Sequence, residues 1–104
     1  MNLLIIGAGG YGKLVKGIAE LNGYKKIDFL DDNAQEAISK ICEVEEIEDK
    51  YDGAIVAIGN PQVRAKIKIK KSVTLIHPSA VISKSSVIED GCVIEAGTIV
   101  STGR

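Results

Sequence analysis

The 104-residue chain contains no tryptophan, one phenylalanine and three tyrosines, so aromatic residues make up only 4% of it. Single-stranded nucleic acids are held by stacking bases on aromatic rings, and too few rings are present to build such a platform. Neither sign of charge dominates: 13 basic and 14 acidic side chains leave a formal net charge of −1. That balance argues against a nucleic-acid footprint or attraction to an anionic membrane. The two cysteines, Cys42 and Cys92, lack metal-ligand spacing and read as reduced thiols of a cytoplasmic protein. No basic segment precedes the first apolar run, which ends at Gly7, so a secretory signal is not expected. No stretch approaches the roughly 20 apolar residues needed to span a bilayer. His77 is the single histidine, and therefore the one easy general base near neutral pH.

Apolar residues and glycine are plentiful. Hydrophobic residues form 45% of the chain, enough for a folded core. Over residues 1–76 the pattern alternates between buried strand and helix. Asn2 to Ile6 is a short continuous apolar run, as in a parallel strand covered on both faces. Leu14, Val15, Ile18, Ala19 and Leu21 then recur at helical spacing, and Asn22-Gly23 supplies a stop. Ile27 to Leu30 reads as a second strand closed by the turn residues Asp31-Asp32-Asn33. Short helical turns are expected around Val44 to Lys50, and a third strand from Gly53 to Ile58. Asn60-Pro61 is a helix start signal, yet Val63, Ala65, Ile67 and Ile69 alternate with basic residues at strand spacing. The helix is favoured because parallel strands need a crossover there. Val73 to Ile76 is the next expected strand.

From Ile82 the period becomes six: "ISKSSV", "IEDGCV", "IEAGTI" and an incomplete "VSTGR". Ile82, Ile88, Ile94 and Val100 take the first position, Gly91, Gly97 and Gly103 the fourth, and the small residues Ser86, Cys92 and Thr98 the fifth. Such spacing suits a coil with three flat faces, in which branched residues point inward and glycine relieves the corners; three faces of six make one coil of eighteen.

Chemistry concentrates where the first strand hands over to the first helix. Gly7, Gly9 and Gly12 fit G-x-G-x-x-G, with Gly10 and Tyr11 inside the motif. Glycines permit a tight turn and close backbone approach, and the helix start offers free N–H groups to a phosphate. Asp31 lies nineteen residues after Gly12, at a strand end, where a carboxylate can accept hydrogen bonds from ribose hydroxyls or a base N–H. Gly59 and Asn60 close the third strand on the same edge, although helix capping explains Asn60 equally well. The glycine pattern with Asp31 suits NAD as well as another phosphate-bearing nucleotide, and a binding or assembly module without chemistry is a further alternative. His77, beside Pro78, is read as structural, Cys92 as core packing, Arg64 as solvated, and Lys66, Lys68, Lys70 and Lys71 as a charged outer face.

The motifs "IIGAGGYGK", the pair "DD" after the second strand, "AIGNPQVR", "IHPSAVIS" and the hexads, in that order, resemble the nucleotide-sugar acetyltransferases of bacterial glycan synthesis. The resemblance implies an α/β fold: a small Rossmann-like parallel-sheet domain over residues 1–78, then the first coil of a left-handed β-helix over 79–104. It implies a nucleotide sugar, a UDP-amino sugar above others, held by Gly7, Gly9, Gly10, Tyr11, Gly12, Asp31, Asp32, Gly59 and Asn60. Acetyl-CoA is the family's co-substrate, bound between neighbouring subunits of a homotrimer. The family's catalytic histidine belongs to a later coil. With 23 residues of hexad sequence, residues 82–104, the chain is expected to be a fragment, in preference to a naturally shortened, inactive relative, and to bind the sugar nucleotide without catalytic residues, bound acetyl-CoA or metal of its own.

Overall fold

In the computed structural model, residues 1–33, 35, 37–82, 93–94 and 99–100 are described. Strand β1 (Asn2–Ile6) leads into helix α1 (Gly10–Leu21), then β2 (Lys26–Leu30) and a short β3 (Ala37–Ser39). A 3₁₀ turn at 41–43, helix α2 (Val44–Ile47) and a second 3₁₀ turn at 48–50 bring the chain to β4 (Gly53–Val56). Helix α3 (Pro61–Lys66) follows. The four strands form one parallel sheet in the order β3-β2-β1-β4. This is the α/β, Rossmann-like arrangement expected from the sequence.

β1 lies inside the sheet and buries both faces, which is why its sequence is continuously apolar. Leu3 and Ile5 join Phe29, Ile55 and Ala57 on one face, where Val15, Ile18 and Ala19 of α1 cover them. Leu4 and Ile6 join Leu30 and Ala54 on the other, beneath Val44, Tyr51 and the half-buried Ile67 and Ile69. Leu14 and Leu21 had been placed with the helix's apolar residues, but both are exposed. The α1 face that meets the sheet is narrow, and Gly12 rather than a larger residue completes it.

The conflict at residues 61–70 resolves in favour of both signals. Asn60 caps α3 by accepting from Gln62 N–H at 2.9 Å and Val63 N–H at 3.3 Å, and Pro61 takes the first turn. The helix stops at Lys66, and Ile67, the C-cap residue, is extended, with Ile67 and Ile69 turned to the core. The expected strand at 73–76 does not join the sheet as a full strand. Ser72 makes a single parallel bridge to Ala54, and β5 (Leu75–Ile76) pairs instead with β7 (Val93–Ile94). Strand β6 (Val81–Ile82) pairs in the same parallel sense with β8 (Ile99–Val100). Ile76 lies beside Ile94 and Ile82 beside Val100, each pair eighteen positions apart, the length expected of one coil. The hexad glycines, Ser86, Ile88, Cys92 and Thr98 lie outside the described residues.

Two polar braces tie the periphery to this core. Glu48 is 2% exposed, and its carboxylate accepts the backbone N–H groups of Lys70 at 2.7 Å and Lys71 at 2.6 Å. Lys71 was expected on the outer face, yet it is half-buried and donates its ammonium to the carbonyl of Tyr51 at 2.9 Å. At the end of α1, the Asn22 amide donates to the Ile76 carbonyl at 2.7 Å and accepts the Ile76 N–H at 3.2 Å, fastening the helix to β5.

Replacing Glu48 with alanine leaves two inward N–H groups without an acceptor. That is expected to cost about 3 kcal/mol in urea unfolding, with Glu48→Gln recovering most of the loss because it keeps an acceptor oxygen.

Candidate functional site at the carboxyl edge of the sheet

β1, β2 and β4 run parallel, so their carboxyl ends open on one edge. The chain leaves β1 toward β2 on one side and returns to β4 on the other, and open α/β sheets bind ligands at such a switch point. Three loops meet there: Gly7 to Gly9, Asp31 to Asn33, and Ala57 to Asn60.

The glycines of the first loop divide into two kinds. Gly7 has φ +112°, and a Cβ there would lie 2.8 Å from the carbonyl oxygen of Ala57. A Cβ on Gly12 would lie 2.0 Å from the carbonyl oxygen of Gly7. The fold itself therefore requires these two. Gly9 and Gly10 are exposed, adopt no left-handed φ, and a Cβ on either would meet nothing within 4 Å. Nothing in the described fold demands glycine at these positions. Gly9 caps α1 with no side-chain hydrogen bond, and the first turn holds no acidic residue. The positive end of a twelve-residue helix thus faces the crevice with no acidic residue in its own first turn.

Asp31 is half-buried and braces the loop: its carboxylate accepts the Ala8 N–H at 2.9 Å and the Asn33 N–H at 2.8 Å. Asp32 is exposed and accepts the Ile41 N–H at 3.1 Å through one oxygen. Both were expected as contacts for a nucleoside; Asp31 also holds the glycine loop against β2. Asn60 gives its side-chain oxygen to the α3 cap, so its amide nitrogen is the group left to meet a ligand. Tyr11 is exposed in the first turn of α1, beside the loop.

His77 lies in the junction before β6. Its Nδ1 accepts the Ser79 N–H at 3.0 Å and sits 2.9 Å from Ser79 Oγ, while Ala80 N–H closes the turn on the His77 carbonyl at 2.9 Å. The neutral ring consequently carries its proton on Nε2. Arg64 is exposed on α3.

A cavity of about 400 Å³ adjoins the crevice on the α2 side of the sheet. Asp32 belongs to both. Ile41, Val44, Val63 and Ile67 line it, with Cys42, Lys66 and Lys68. Lys66 and Lys68 are therefore not simply a solvated outer face, since both border this cavity. The visible signal was the switch at Lys66 from helical to strand spacing, which places Val63 and Ile67 on one wall.

Comparison with known proteins places the chain in a family and finds solved structures of the same fold. The model of the PglD N-terminal domain family matches residues 2–70. The acetyltransferase domain of PglB from Neisseria gonorrhoeae FA1090, in complex with acetyl coenzyme A, superposes with a TM-score of 0.87 at 33% identity, covering 98% of this chain and 56% of that one. A perosamine N-acetyltransferase from Caulobacter crescentus, a point mutant bound to CoA and GDP-perosamine, gives a TM-score of 0.85 at 25% identity, covering 98% and 55%. PerB from the same organism, with the same two ligands, gives 0.80 at 26% over the same shares. The chain spans little more than half the length of these structures.

Because Asp31 braces Ala8, replacing it with alanine is expected to speed hydrogen exchange at the Ala8 amide at least tenfold. Unfolding stability should fall by about 1–3 kcal/mol. An Asp32→Ala variant should leave Ala8 exchange unchanged and speed exchange at Ile41.

Proposed function

The chain belongs to the PglD N-terminal domain family, and from that premise we propose that it is the nucleotide-sugar-binding part of an acetyl-CoA-dependent sugar acetyltransferase. One observation carries the reading: Gly9 and Gly10 lack side chains where the fold has room for them, at a helix start that no side chain caps. The space a Cβ would fill is left for a ligand's diphosphate, which accepts from the free N–H groups of the first turn and sits at the positive end of α1. Asp31 and Asp32 face the nucleoside from the adjacent strand end, Gly59 and Asn60 close the far side, and Tyr11 lies over the phosphates. A GDP-sugar and CoA in the Caulobacter crescentus structures, and acetyl coenzyme A in the Neisseria gonorrhoeae one, support both the ligand class and the reaction.

In acetyl transfer the acceptor amine or hydroxyl attacks the thioester carbonyl, a base takes the acceptor's proton, and the thiol leaves. The present residues supply the first requirement, an anchored and oriented acceptor. The eighteen-residue offset between β5 and β7 and between β6 and β8 supports a left-handed β-helix beginning in residues 79–104. Its later coils, in a homotrimer, would provide the acetyl-CoA site and the base. His77 keeps Nδ1 in its own turn and plays a structural part. The 104 residues alone thus bind the nucleotide sugar and do not transfer acetyl groups.

Gly9→Leu is expected to lower calorimetric affinity for UDP-amino sugars more than tenfold while leaving the unfolding midpoint of the unliganded chain unchanged; unaltered affinity would sink the diphosphate site. In an acetyl-transfer assay with UDP-amino sugars and acetyl-CoA, the chain should show no turnover. Turnover abolished by His77→Ala would make His77 the base.

A further inference from the structure

We infer that the outward face of helix α1 is an interaction surface for a second copy of this chain, packed antiparallel about a two-fold axis midway between Leu14 and Gly17. Three residues of α1 are explained by nothing inside one copy. Leu14 is 43% exposed and Leu21 57%, while Val15, Ile18 and Ala19 already make the helix's contact with the sheet. Gly17 is exposed in the helix interior, where glycine is unfavourable relative to alanine, and a Cβ there would meet nothing within 4 Å. It lies about two turns along α1 from the glycine loop, too far to serve the crevice.

Gly10, Leu14, Gly17 and Leu21 follow one another at spacings of four, three and four, so they form one stripe along the exposed side of α1. Small and large residues alternate along it. Such a stripe complements itself when run in the opposite direction: Leu14 of one copy fits against Gly17 of the other, and Leu21 against Gly10, each contact made twice by symmetry. A parallel pair in register would set leucine on leucine and leave gaps between facing glycines. Charge selects the same orientation. Lys13 and Glu20 are both exposed, and their seven-residue spacing places them on one flank of the stripe. In the antiparallel pair, Lys13 of each copy stands about 3 Å along the helix axis from Glu20 of the other, within reach of both long side chains. The first-turn N–H groups point along the axis rather than across the stripe, so both crevices stay open and face in opposite directions. A twelve-residue helix is about 18 Å long, so the contact is smaller than that of a permanent dimer, and the pair is reversible, in the micromolar range or weaker.

Sedimentation equilibrium of the full chain over a range of concentrations tests the pairing. Self-association is expected, and Leu14→Gln should weaken it at least tenfold. Gly17→Gln should weaken it as much while raising the unfolding midpoint of the monomer, because it removes a glycine from the helix; a substitution that merely damaged the fold would lower that midpoint. Lys13→Glu and Glu20→Lys should each weaken self-association, since each sets like charges against one another across the two-fold axis. An equimolar mixture of these two variants should associate again, because every charge pair between the two chains is then opposite in sign. A chain that stays monomeric at every concentration overturns the inference. Association that Leu14→Gln and Gly17→Gln leave unchanged runs through another surface and overturns it too. Charge variants that each associate like the parent, or a mixture that stays dissociated, overturn the antiparallel register.

Discussion

Helix α1 begins so close to the end of β1 that a side chain on Gly12 would collide with the carbonyl oxygen of Gly7, at 2.0 Å. That close contact sets the geometry of the molecule. It seats the first turn of α1 against the sheet edge, aims its free N–H groups across the crevice, and leaves Gly7 to make the turn at positive φ. The Asp31 carboxylate then fastens the loop to the neighbouring strand through Ala8. Apolar burial of β1 on both faces supplies the stability against which these constraints are held.

The periphery is held by single polar groups used twice. Glu48 takes two backbone N–H groups and fixes the segment that covers the β4 edge, an edge otherwise open to pairing with another chain. Asn22 does the same for β5, donating to and accepting from one residue. Helix α1 therefore has the ligand crevice at one end and the junction to the hexads at the other. Under the proposed function, its orientation would set where a nucleotide sugar in the crevice lies relative to that junction.

The central strands, the glycine turn and the eighteen-residue offset of β5 from β7 and of β6 from β8 were legible because each rests on local physics. Continuous apolar runs mean strands covered on both faces, and a six-residue period has few alternative solutions. Leu14 and Leu21 were misplaced because periodicity marks apolar residues without showing how wide a face the sheet can cover. The chain beyond Pro61 was ambiguous because it is two structures in succession, a capped turn and a half, then an extended segment. β3 escaped notice because it is a three-residue edge strand with an irregular register, and so little of its pattern is repeated. At the site, sequence spacing marked Asp31 as a ligand contact. Its bond to Ala8 depends on how β1 and β2 lie side by side, which spacing does not encode. The cavity beside Asp32 likewise arises from segments about twenty residues apart in the chain.

Amide chemical shifts of the isotope-labelled chain during titration with UDP-sugar test the ligand site most directly. With the diphosphate on the glycine loop, the largest and earliest shifts fall on Gly9, Gly10, Tyr11 and Gly12, followed by Asp31 and Asp32. Shifts centred on the β3 edge or on the 77–80 turn, with the glycine-loop amides unmoved, would contradict it.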